Sequence, residues 1–169
     1  QEKRTVENQE LGGLAKNMFG LYSEARKEIA EKGRVKTFGK SGLGGRLANM
    51  AVIVDAKAGY LPKTNTFIDR VKAFATITAK AAGEQRPTDQ DIVRFMGTMM
   101  TIGKNDQENA VQMAQQLKDL QSKNINVDWA KPLLSEYTQV TGVDVPFIIG
   151  GEKAQNVSER TGEDLEDNA

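Results

Sequence analysis

Apolar residues recur along this chain at three- and four-residue intervals, the spacing of half-buried helices rather than of strands. The clearest stretch runs from Thr66 to Ser122. Phe67, Val71, Phe74, Ile77 and Ala81 form one stripe, which Gly83 ends. Pro87, Thr88 and Asp91 then open a second helix, where the Thr88 hydroxyl can cap a free backbone N–H and the acid three residues on can complete a capping box. Ile92, Val93, Phe95, Met96, Met99 and Met100 continue it. A third pattern starts at Asn105 or Asp106 and aligns Ala110, Val111, Ala114, Leu117 and Leu120. Phe74, Phe95, Met96 and Leu117 are expected to meet in one cluster.

The flanking segments extend the pattern. Thr5 to Lys32 reads as one amphipathic helix with Leu11, Leu14, Ala15, Met18, Leu21, Tyr22, Ala25 and Ile29 on its stripe and Gly33 as its stop. Gly12 and Gly13 inside it cost about 2 kcal/mol together relative to alanines, so either its first turns are loose or the helix begins only near Leu14. Arg34 to Lys63 is glycine-rich and is expected to be a mobile connection, interrupted by a short buried helix from Leu43 to Lys57 with Leu47, Met50, Ala51 and Val54 on one stripe. Asp128 can cap a last helix over Trp129 to Val140, and Gly142 ends it. In Val143 to Ile149, Pro146 forbids helix and leaves an extended apolar arm, which either packs back on the domain or adds to a neighbour. The reading is an all-α fold of five or six helices: residues 1–33 the long first helix, 34–65 the basic connection, 66–142 the helical core, and 143–169 the arm and an acidic tail.

Composition narrows the chemistry. The 169 residues include no cysteine and no histidine, which removes thiolate chemistry, the commonest metal ligand and the commonest general base near neutral pH. No catalytic, cofactor or metal residues are therefore assigned, and a non-enzymatic role is expected. No run of about 18 apolar residues exists to span a membrane, and without other information a soluble, cytoplasmic location is expected. The net charge of zero is unevenly spread. Residues 151–169 carry six acids against two bases, a balance of −4, whereas 34–65 carry six bases against Asp55, a balance of +5. Opposite charge at two ends suits pairing between copies.

Motifs add little. Gly33 to Ser41 approaches the phosphate-binding loop but holds one residue too many between its glycines and follows a helix instead of a strand. A paired-carboxylate hydrolase would draw on Glu24 with Glu28 or Asp89 with Asp91, all explicable as helix-surface or capping acids. A nucleic-acid binder would contact phosphates through Lys36, Lys40 and Arg46, without the aromatic residues that stack bases. An assembly protein accounts for most features. Leu14, Met18, Leu21 and Tyr22 on the first helix and Val145, Phe147, Ile148 and Ile149 on the arm are expected to exceed what the central helices cover, so at least one set should lie against another chain.

The turn Lys40-Ser41-Gly42-Leu43-Gly44-Gly45-Arg46-Leu47, the helix end Ala82-Gly83-Glu84 and the opening Arg86-Pro87-Thr88-Asp89-Gln90-Asp91-Ile92, followed by a Gln/Ala/Leu-rich helix, resemble helical segments of large bacteriophage virion proteins of the internal or DNA-ejection type. The resemblance covers about Lys40 to Ser122. It implies an α-helical structural protein in the virion, oligomeric, with copies of itself and other virion proteins as partners and DNA as a possible passing contact. Gln1 as first residue would suit a trimmed virion component.

Overall fold

The computed structural model describes residues 2–32, 36–83 and 86–149, with side chains from Asn8 onward. The expectations for Gly33, Arg34, Glu84 and the acidic tail of residues 151–169 lie outside these. Among the described residues there are six helices and no strand: α1 (Glu2–Lys32), α2 (Gly42–Lys57), α3 (Pro62–Ala81), α4 (Asp89–Met96), α5 (Asp106–Ser122) and α6 (Ala130–Thr141). The all-α expectation holds.

Helix starts follow local chemistry where a polar cap is at hand. Thr88 and Asp91 close a capping box on α4, and Asn105 and Glu108 close another on α5. α3 begins four residues earlier than its stripe suggests, at Pro62, where a missing N–H costs nothing. Its N-cap residue, Leu61, has no polar side chain. The buried Glu28 of α1 supplies the cap, accepting from the Lys63 and Thr64 amides at 3.1 and 2.9 Å and from the Thr64 hydroxyl at 2.9 Å. A carboxylate there also faces the positive end of the α3 dipole. α6 departs from expectation, because its N-cap position is Trp129 and no side chain caps it. Asp128 is held by its own amide, which donates to Asn126 Oδ1 at 2.7 Å.

α3 is central, packing on α1, α2 and α4, while α1 also packs on α6. Tyr22 of α1 stands in the middle of the core, its ring 5.0 Å from Phe67 and 5.9 Å from Tyr137, with Asn109 of α5 donating to its hydroxyl at 3.2 Å. Phe74, Leu117, Phe95 and Met96 belong to one apolar cluster, the last two at its edge. Gly12 earns its place in α1, since a Cβ there would meet Ile125 Cγ2 at 2.9 Å. Glycine lets the chain after α5 cross close to α1.

Three expectations are corrected. α4 ends at Met96, so Met99 and Met100 are not helical, although both are buried. The carbonyls at and just past the end of α4 find other partners: the Thr98 hydroxyl donates to Phe95 O at 2.7 Å and the Lys104 ammonium to Gly97 O at 2.7 Å. Met18 and Tyr22 are not spare surface, being enclosed within their own chain. The arm likewise returns to its own domain, with Val143, Val145 and Phe147 packed on the core and Ile149 buried. Leu14, Leu21 and Ile148 are half-buried. The physical reason is that α3 and α6 pack on α1, and Asn109 of α5 reaches Tyr22, so the stripe is covered within one chain.

Phe74→Ala should lower stability by about 3–5 kcal/mol, as truncation of a buried aromatic does. Chemical denaturation measures it, and a loss below about 1 kcal/mol, the size of surface effects, would contradict the burial.

Candidate functional site

α2 has two apolar faces, and the smaller one points inward. Gly45, Ala48, Val52 and Ala56 are buried together with Asn49. Small side chains let the helix approach its neighbours closely, and Asn49 fixes the rotation. Its Oδ1 accepts from the Gly39 amide at 2.9 Å, and its Nδ2 donates to Lys104 O at 3.2 Å. Gly45 is jammed in place, since a Cβ there would fall 1.8 Å from Lys40 O. The larger face therefore points outward. Leu43, Leu47, Met50 and Val54 are 73, 59, 62 and 65% exposed, which reverses the expectation of a buried stripe through Leu47, Met50 and Val54. Their 4-3-4 spacing keeps one seam along the helix, as knobs facing a partner do.

The turn before α2 is fixed, not mobile. Lys40 N donates to Thr37 O at 3.1 Å, and Asp106 N donates to Gly39 O at 2.7 Å. Gly39 has φ +80°, and a Cβ on it would meet the Asp106 carboxylate at 2.4 Å, so only glycine fits. The amides of Gly39 and Lys40 are thus occupied by protein acceptors and do not converge on an open anion site. Around this turn Lys36, Lys40 and Arg46 are exposed, and Lys57 is exposed three turns beyond Arg46 on the same edge of α2.

Beneath the turn lies a buried polar knot. Arg26 of α1 grips both carboxylate oxygens of Asp106, at 2.8 and 3.4 Å, and stacks over the Phe38 ring at 4.6 Å. The Tyr137 hydroxyl donates to Asp106 O at 2.6 Å. Burial pushes the Asp106 carboxyl above its ordinary value, and Arg26 pulls it back. Burial also pushes the Tyr22 and Tyr137 phenols up, so both stay protonated donors. These groups satisfy one another inside the protein.

The carboxylate pairs are separated by role. Glu28 is spent capping α3 while Glu24 is exposed, and Asp91 closes the α4 box, its pKa held low by the Thr88 amide and hydroxyl. An apolar cavity of about 310 Å³ lies between α2, α3 and the chain after α4, lined by Ile53, Phe67, Val71, Met96 and Ile102. Lys104 at its wall has its ammonium turned onto the carbonyls of Gly97 and Met99, and burial lowers its pKa. Among the described residues, the seam of α2 is a row of four apolar side chains that intramolecular packing leaves exposed. The sequence carried a sign of it in the small residues at positions 45, 48, 52 and 56, which mark a second face capable of close packing.

Arg26→Met would strand the Asp106 charge in the interior, with an expected loss of about 3–5 kcal/mol near pH 7. Without Arg26 the folded carboxyl binds its proton more tightly than the unfolded one, so the penalty grows as pH rises above the unfolded value and shrinks as pH falls toward it. Denaturation of both proteins at pH 7 and about pH 4 checks this, and a gap that is constant or widens on acidification would show that the carboxylate is not the stranded group.

No protein-family model, no curated protein and no solved structure matches the chain.

Proposed function

We propose that this protein is a non-catalytic structural module that assembles with copies of itself, a virion component of the internal or DNA-ejection type such as its turn and helix-opening motifs resemble. The observation that carries the assembly reading is the seam of Leu43, Leu47, Met50 and Val54, held outward by Asn49 and Gly45. Covering one such side chain contributes about 1.5–3 kcal/mol, so a row of four rewards association even after its entropic cost. The buried acids and phenols support the same reading, because each already has a structural partner. The virion setting rests on the resemblance alone.

Sedimentation or light scattering over a concentration series tests the assembly. An oligomer is expected, and a monomer at every concentration would overturn the reading. A second reading is that Lys36, Lys40 and Arg46, exposed around one fixed turn, contact DNA phosphates. Retention on DNA should then fall steeply with salt. Replacing all three by Gln without changing retention at low salt would remove it.

A further inference from the structure

We infer that the occupant of the α2 seam is a second copy of this chain, received in the groove between α1 and α3, so that copies join head to tail. This rests on the assembly reading above and names the two surfaces. The groove has a volume of about 430 Å³ and is lined by Leu14, Ala73, Phe74 and Ile77 among others. Ile77 is 48% exposed there, although it belongs to the apolar stripe of α3. On the α1 wall, Gly13 and Gly20 would carry a Cβ into open space, so the wall is low and a helix can lie close against it. Thr66 to Ile77 gives the groove a length of about 18 Å, against about 24 Å for the 16 residues of α2.

Charge selects the pairing. The seam of α2 is edged by exposed Arg46 and Lys57, with Lys40 beyond its start. Two copies of α2 laid antiparallel would bring these basic edges together. On α1 the exposed Glu10 and Glu24 instead lie seven residues either side of Asn17, and so on the same side of the helix as that residue, which meets Arg70 of the groove. Arg70 within the groove is turned onto Asn17 Oδ1 at 3.1 Å, bridging the two helices. The ridge is apolar and basic along its edge, and the groove has an apolar floor of Leu14, Ala73, Phe74 and Ile77, carries Asp69 in its lining with Arg70 engaged by Asn17, and has Glu10 and Glu24 on the Asn17 side of α1.

The two surfaces lie on different sides of the molecule. α2 packs toward the Ile68 and Val71 side of α3, where Ile53 joins them around the inner cavity. The groove opens on the Ala73 and Ile77 side, roughly half a turn away. Two distinct patches that recognise each other make a heterologous contact, which continues from copy to copy until it closes as a ring or grows as a filament.

Complementation of two blocked proteins tests this. Leu47→Glu spoils the ridge, and Ala73→Glu spoils the groove at an exposed position, with circular dichroism and thermal melting confirming that both fold. Each variant alone should be monomeric, because either defect breaks every contact in the chain of copies. Mixed in equal amounts they should give a dimer and nothing larger, since one intact ridge meets one intact groove. Arg46→Glu with Lys57→Glu should weaken association more than about tenfold at low salt, and Glu10→Lys with Glu24→Lys in the other copy should restore it. Oligomers that survive Ala73→Glu, or a mixture that remains monomeric, would overturn the head-to-tail pairing while leaving the assembly reading standing. A wild-type protein that never associates would overturn both.

Discussion

The contact of Arg26 with Asp106 holds the architecture together because of where its partners come from. Arg26 belongs to α1 and Asp106 to the first turn of α5. The Asp106 amide donates to Gly39 in the turn before α2, and its carbonyl accepts the Tyr137 hydroxyl of α6. One residue thus ties together four parts of the chain. A buried carboxylate is costly unless its charge is answered, and the guanidinium fork with the Phe38 ring beneath it answers it in one geometry only. The cost of any other arrangement makes the knot specify the fold as well as close it. Because the Asp106 side chain sits against Gly39, no other residue fits at that point.

The orientation of α2 follows from this knot. Gly39 is fixed by Asp106, Asn49 is fixed by the Gly39 amide, and Asn49 sets which side of α2 faces inward. A buried amide deprived of its partners costs about 1–3 kcal/mol, and rotating α2 to hide its larger side chains would forfeit them. It would also drive the bulk of Leu47 or Met50 into a contact shaped for Gly45, Ala48 and Ala56. The helix therefore settles with its small face packed and its large face in solvent.

The same economy explains why no reactive constellation forms among the described acids. Glu28 serves as the cap that Leu61 cannot provide, Asp91 and Glu108 close capping boxes, and Asp106 is locked by Arg26. Each of these four carboxylates answers either free N–H groups at a helix start or a buried charge.

Periodicity and caps determined the helices: the stripes of α3 and α5, the boxes at Thr88 and Asn105, and the stop at Gly142 are local, and local chemistry is written in the sequence. Other features are set by partners distant in the chain. Glu28 caps a helix that starts 34 residues later, at Pro62. Beyond the short α4 the carbonyls of Gly97 and Met99 are taken by Lys104, and the arm packs on the core that precedes it. The exposure of Leu43, Leu47, Met50 and Val54 belongs to this second kind. A helix with apolar residues on two faces has a helical pattern whichever face is hidden. Only the tertiary structure decided between them, because the deciding contacts, Asn49 with Gly39 and Lys104, and Gly39 with Asp106, join segments that the sequence holds up to 67 residues apart.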